Sequence, residues 1–338
     1  MTETLWIVGG EQRGVPHWTR EWKLFKKALV VKVEHGSIQR VLEYESPPEH
    51  CPDELHSIVF KSGSIRGDCA YLCTQTEVLV CKFPSFAIQR VISHPCFNDL
   101  HHVTLAPDGR LFVAVTGLDA VAELAPDGAL LRLTSVIDDS VWDRFSETVD
   151  YRKVATTKPH RAHPNFVFFL DGRAWVTRFQ QRDAVPLDRC SKGRSPFDIA
   201  AEGAHDGHVM GDIIYFTTVN GLIVRFDLKS GTRKVFDLNA ARDVDPDRPL
   251  GWCRGLLPTA DRAWVGFSRI RYTALRTNLD WVRHGFQRAD RYPACPTRIA
   301  LYDLAKLALL EEVDLEDAGM NAVFSIHGAS PCKGAGSA

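Results

Sequence analysis

The stretch His102-Val-Thr-Leu-Ala-Pro-Asp-Gly109-Arg-Leu-Phe112-Val-Ala-Val115 decides the fold. Two runs rich in β-formers flank Pro107-Asp-Gly109. Pro presets φ and Gly supplies positive φ, so the segment reads as two antiparallel strands around a tight turn. The second strand carries a phrase: a polar or Gly turn, one variable residue, a small or aliphatic residue, an aromatic, then an aliphatic. It recurs as Asp68-Cys-Ala-Tyr71-Leu72, Gly172-Arg-Ala-Trp175-Val176, Asp212-Ile-Ile-Tyr215-Phe216 and Asp261-Arg-Ala-Trp264-Val265. The aromatics follow at intervals of roughly 40 to 60 residues, and a repeat of that size built from short strands predicts a β-propeller.

Working outward from the hairpin completes a four-stranded blade. Residues 120–124 form its third strand, Pro126-Asp-Gly128 turns again, and 130–134 form its outermost strand. The same parse gives blades over 57–92, 165–199, 208–238 and 255–313, the outer strands of 165–199 being weak. A sixth blade needs both ends of the chain. Thr4-Leu-Trp6-Ile-Val8 fits the aromatic phrase, 29–33 and 39–43 follow it, and Ala322-Val-Phe-Ser-Ile326 supplies the missing inner strand. Such closure removes the open sheet edge that invites aggregation. The expectation is an all-β, six-bladed propeller of four-stranded blades, closed by N- and C-terminal strands in one blade, with seven blades as the alternative. Residues 1–328 form the single domain and 329–338 a flexible tail.

The 338 residues are 45% hydrophobic and 25% charged, an ordinary globular composition. A net charge of -1 gives no bulk field for nucleic acid or a membrane surface. No apolar run approaches the roughly 20 residues that span a bilayer. The first residues lack a basic segment followed by an apolar one, so no signal peptide is expected. Nine cysteines without a C-x-x-C spacing fit reduced thiols and a cytoplasmic protein.

Long segments at 10–26, 137–164, 239–253 and 268–298 all connect strands on one face of the ring, and long loops of this kind are often binding loops or lids. Decoration or an oligomer contact is the alternative. On that face the inner strands begin with His56, His101, Asn165, Gly207, Arg254 and Asn321, preceded by Glu54, Asp99, His163, His205, Trp252 and Gly319. An apolar floor follows: Ile58, Val103, Val167, Val209, Leu256 and Val323. A polar mouth over an apolar floor is the usual form of a ligand site. Imidazoles from separate strands suit a divalent transition metal: iron, zinc, manganese or copper. His101, His163, His205 and His56 are the expected ligands, ahead of His102 and His208. The alternative is that these histidines cap strand ends and fill the channel. Asn98 and Asp99 are placed to orient an imidazole or act as base, or to form a loop turn. Arg254 is placed to grip a carboxylate or to bond blade carbonyls. Cys51, Cys96 and Cys253 read first as small buried fillers.

The hairpin phrase resembles the repeats of six-bladed propellers of the NHL-type and gluconolactonase-like group, over most of residues 50–315. That group includes metal-dependent lactonases, streptogramin lyase and peptidyl-hydroxyglycine lyase. The last presents histidines to an axial metal. The gluconolactonase pattern of Glu, Asn and Asp around calcium is not reproduced, although Glu54, Asn98, Asn165 and Asn321 lie nearby; the excess of His favours a softer metal. No P-loop, GxGxxG, HExxH or GxSxG occurs. The expected function is therefore a metal-dependent enzyme acting on a small anionic molecule, as hydrolase or lyase by analogy of fold. A non-haem iron oxygenase and a non-catalytic binding propeller are the alternatives.

Overall fold

The computed structural model describes residues 3–15, 19–188, 194–244, 250–259, 261–269 and 296–329. Among them are six antiparallel sheets of four strands each. The first sheet joins the termini: β24 (Ala322–Gly328) pairs with β1 (Leu5–Gln12), which pairs with β2 (Phe25–Glu34) and then β3 (Ser37–Tyr44). The others run from the inner to the outer strand in chain order, starting at β4 (Ser64–Arg66), β8 (Leu100–Leu105), β12 (Pro164–Leu170), β16 (Ala204–Met210) and β20 (Trp252–Pro258). This is the six-bladed ring with shared-blade closure; the seven-blade alternative falls. The expected weakness of the third repeat is visible in its outermost strand, β15 (Phe197–Asp198), only two residues long. The expected loop 268–298 and tail 329–338 lie mostly outside the described residues, as does part of 239–253. No helix among the described residues is long and apolar enough to cross a membrane.

The aromatic phrase recurs because each aromatic fills the seam to the next blade. Trp6 packs with Ala70 and Leu72, Tyr71 with Val113 and Val115, and Phe112 with Val176. Trp175 packs with Ile214 and Phe216, Tyr215 with Ala263 and Val265, and Trp264 with Leu5 and Ile7, closing the circle. An aromatic buries about 150–250 Å², so one per seam supplies much of the blade-to-blade adhesion. At the closure Gly9 is obligatory: a Cβ there would lie 1.8 Å from the Ala322 carbonyl oxygen.

The inner strands depart from the ideal ladder at one recurrent place. The register against the second strand slips at His101, at Asn165, at Asp206-Gly207, at Gly255 and, in the closing blade, at Phe324. Bulges bend a strand and re-aim its side chains. In the remaining blade the departure is larger. The inner ladder was expected at 57–60 but begins at Ser64. Before it, Ser57 N–H donates to Trp22 O, Phe60 N–H to Gly9 O, Lys61 N–H to Cys73 O and Ser62 N–H to His101 O. This segment bridges its neighbours instead of pairing regularly.

Candidate functional site

That bridging segment places Lys61 on the channel wall. Its side chain is only 2% exposed, which for a lysine requires partners. Lys61 Nζ stands 3.5 Å from Asp99 Oδ1 and 4.0 Å from Glu21 Oε1, with the Phe324 ring centroid 4.8 Å away. Arg254, also buried, lies with its Cζ 5.0 Å from the same ring and 5.5 Å from Trp252. Lys158 reaches in from the β11–β12 loop (β11 being Leu130–Ser135), its Nζ 3.3 Å from Glu21 Oε2. Lys61, Lys158 and Asp99 line a cavity at the axial mouth together with Glu21, Trp22 and His56.

Beside this cavity stand the imidazoles. The His101 and His163 rings meet edge to face, 4.8 Å between centroids. Phe179 packs against both His163 and His205, at 5.1 and 5.6 Å. The hydrogen bonds assign the tautomers. His101 Nδ1 lies 2.9 Å from the Asp99 carbonyl, which can only accept, so Nδ1 carries the proton and Nε2 is a bare lone pair. For His163 the chain is longer. Thr157 Oγ1 donates to the Gly117 carbonyl at 2.5 Å, so it accepts from His160 Nε2 at 3.3 Å. His160 Nδ1 is then the acceptor across 3.1 Å, and His163 Nδ1 the donor. His163 too is left with a bare Nε2.

Burial first, then the positive charge of Lys61, pushes His101 down to about 3. Burial and the neighbours His101 and His160 hold His163 well below the usual imidazole range; burial and Arg254 do the same to His205. All three are neutral at pH 7. Burial alone would raise the Asp99 carboxyl, but Lys61 leads a set of positive neighbours that holds it below the usual carboxylate range, so it is ionised. Asp99 Oδ1 is also 3.8 Å from His101 Nδ1, within reach of charge forming on that ring.

Asp99 and His163 both adopt left-handed backbone conformations, φ 47° and 56°. For non-glycine residues this persists only where the surroundings impose it. At His163 the agent is Asp119. Its buried carboxylate accepts from the backbone N–H of Arg161, Ala162 and His163, each at 2.8 Å, and from Arg144 at 2.6 Å.

The expected residues therefore divide. His101, His163, His205, Asp99 and Arg254 come together: His205 is within electrostatic reach of His101, His163 and Arg254, and its ring also packs on Phe179. His56 lines the cavity with its Nδ1 on the Glu54 carbonyl at 2.9 Å, which leaves its Nε2 bare as well, and has no ring contact with the other three among the described residues. Asn98 is committed to the loop: its amide donates to the carbonyls of Tyr151 and Val154 at 2.8 and 2.7 Å. His102 accepts from Val167 N–H at 3.1 Å and stacks on Phe166, a structural role. Burial pushes the Cys51 and Cys96 thiols up to about 11, which keeps them inert. Lys61, Lys158 and Glu21 were not expected from the sequence.

The donor chemistry suits a transition metal: Nε2 is a bare lone pair on His101 and His163, and Nε2 of His56 and of His205 is buried without a hydrogen-bond partner. Among the described residues, however, no group of three or more His, Cys, Asp or Glu side chains is arranged to hold one. Lys61 and Arg254 bring like charge to the same place.

No protein-family model matches the chain, and no curated protein sequence does. Solved structures do match in shape. A protein of unknown function from Bacteroides caccae is 10% identical with a TM-score of 0.63, covering 97% of this chain and 99% of that one. A chain of the nidogen/laminin complex is 10% identical with a TM-score of 0.53, covering 97% and 98%. A virginiamycin B lyase from Staphylococcus aureus is 13% identical with a TM-score of 0.48, covering 91% and 85%. At these identities the likeness is one of fold alone: the chain is a six-bladed β-propeller.

Proposed function

We propose that this propeller is an acid–base enzyme acting on a small organic anion at its axial mouth, as a lyase or hydrolase. One observation carries the reading: two neutral imidazoles each hold an unprotonated Nε2 beside cations, His101 beside Lys61 and Arg254 and His163 beside Lys158. The cations hold the anion. In an elimination an imidazole Nε2 takes the proton from carbon next to the anionic group, the C–H electron pair becomes the C=C bond, and the leaving group departs from the adjacent carbon with its bonding pair and takes a proton from water. In an ester hydrolysis Nε2 takes the proton of the attacking water, the C–O bond to the alcohol breaks, and the imidazolium returns the proton to that alcohol. The Asp99 carboxylate steadies the imidazolium that forms. Lys61 depresses His101. A bound anion offsets that charge, so the base strengthens when substrate arrives.

The test is a mass-spectrometric turnover screen of small organic acids and their esters. Turnover is expected for at least one, with His101→Asn and His163→Asn each losing roughly 10²- to 10⁴-fold and Arg254→Lys raising KM. Equal rates in all variants would sink the acid–base reading.

The paired Nε2 atoms favour a second reading, in which a divalent transition metal binds between His101 and His163. It shares the residues of the first and differs in metal content.

A further inference from the structure

Two parts of the chain meet over the cavity through one carboxylate. Glu21 lies in the 3-10 turn Glu21–Lys23 between β1 and β2. Its Oε2 is 3.3 Å from Lys158 Nζ and its Oε1 is 4.0 Å from Lys61 Nζ. The two oxygens address two ammonium groups from different elements, as the carboxylate of a bound ligand would. The backbone beneath is fixed. Ser57 N–H donates to Trp22 O at 2.7 Å, Ser57 Oγ donates to Glu21 O at 2.5 Å, and Oγ accepts from Leu24 and Phe25 N–H at 2.8 and 3.0 Å. The Glu21 side chain is 18% exposed at the rim, so it can swing outward without moving the loop.

We infer that Glu21 is a placeholder: its carboxylate fills the subsite for the carboxylate of an incoming small organic acid, which displaces it from Lys61 and Lys158. This rests on the anionic-substrate reading and adds the class of the anion and its place. Charge argues the same way. Glu21 and Asp99 already face Lys61 and Lys158. At Lys61 and Lys158 themselves a third carboxylate would stand against Glu21 and Asp99, and exchange with Glu21 removes that contact, while Arg254 adds to the field that draws the anion in.

The test titrates propionate, the fragment in which a glutamate side chain ends, into the full-length wild type, Glu21→Gln and Lys61→Met. Each protein is first checked for a cooperative melt, and sodium chloride at matched ionic strength is the control. The Trp22 ring centroid is 5.8 Å from Lys158 Nζ, so its fluorescence is the readout, taken as the difference from partners carrying Trp22→Phe. A placeholder that leaves the subsite open about a tenth of the time weakens apparent affinity about tenfold. Glu21→Gln is therefore expected to bind propionate about tenfold more tightly, and Lys61→Met to lose binding. If Lys61→Met does not fold, Lys158→Met carries the same expectation. Unchanged or weaker binding in Glu21→Gln, with propionate still binding the wild type, overturns the placeholder and leaves the anionic-substrate reading standing. No binding by any of the proteins overturns both.

Discussion

The Nδ1 atoms of His160 and His163 stand 3.1 Å apart, and a neutral pair at that distance shares one proton. Thr157 decides its owner, because its single hydroxyl proton goes to the Gly117 carbonyl and forces His160 to donate through Nε2. In the acid–base reading His160 then acts through His163 as a positioning residue.

Replacing His160 tests this. His160→Phe removes the acceptor, and the His163 proton redistributes between Nδ1 and Nε2. His160→Gln keeps an acceptor and restores the tautomer. Long-range ¹H–¹⁵N spectra of His163 read the result directly. Turnover is expected to fall about 10- to 100-fold in the first variant and to recover largely in the second. A purely structural role for His160 leaves the His163 tautomer unchanged in both.

Asp119 supports the same histidine from below. Burial raises its carboxyl, but Arg144 and the three amides outweigh that and hold it below the usual range. Asp119→Asn keeps the shape, and asparagine tolerates the left-handed φ of 50° at this position. What changes is the charge, together with one acceptor oxygen that becomes a donor facing N–H groups. A loss of about 2–3 kcal/mol is expected in urea unfolding, as for breaking a buried charge-assisted network. The His163 resonances should shift with it. A loss below about 0.5 kcal/mol, the usual scale of a surface change, would remove Asp119 from this role.

The buried histidines set the response to acid. His101, pushed down to about 3, and His327, pushed down to about 4, join His102, His163 and His205, all held low first by burial. Between about pH 4 and 6.5 the unfolded chain carries protons on these rings that the folded chain does not. Stability therefore rises with pH through that window and levels off above 7. Each such histidine removes about 1 kcal/mol between pH 7 and 5.5. Asp99, held low, adds stability above the normal aspartate range and loses it only below that range, so it does not offset the slope. Unfolding free energies at pH 7 and 5.5 give the sum. A flat profile would mean that the rings are charged in the folded state.

The ring was legible because its seams repeat one aromatic phrase, and closure because Trp6 carries that phrase without an inner strand before it. The site was legible only in part. His101, His163, Asp99 and Arg254 follow from the starts of the inner strands. His56 was grouped with them on the assumption that its blade begins like the others. There the ladder starts at Ser64, and Lys61, in the segment before it, lines the cavity together with His56 and faces Asp99. The bulges shift the alternation of faces at the one level where facing matters, and no hydrophobic pattern marks a single slipped residue. Glu21 and Lys158 sit in loops, where sequence carries no periodicity at all.

Metal content separates the two readings of the site, and it is measured on untagged protein by elemental analysis. The acid–base reading expects well below one equivalent of iron, zinc, manganese or copper, and turnover that survives dialysis against a chelator. The reason lies in the donors. Nε2 of His101, His163 and His56 is oriented by a hydrogen bond at the other ring nitrogen and Nε2 of His205 is unpartnered, but among the described residues no three metal-ligating side chains are arranged around one point. Structural and catalytic transition-metal sites commonly draw at least three protein ligands. Near-stoichiometric metal, lost in both His101→Asn and His163→Asn, would show that a third ligand swings in and would give the site to the metal-dependent reading. In that case chelation should abolish turnover, and His205→Asn should lower metal affinity by about 10- to 100-fold, the scale on which the surroundings of a metal site tune its hold.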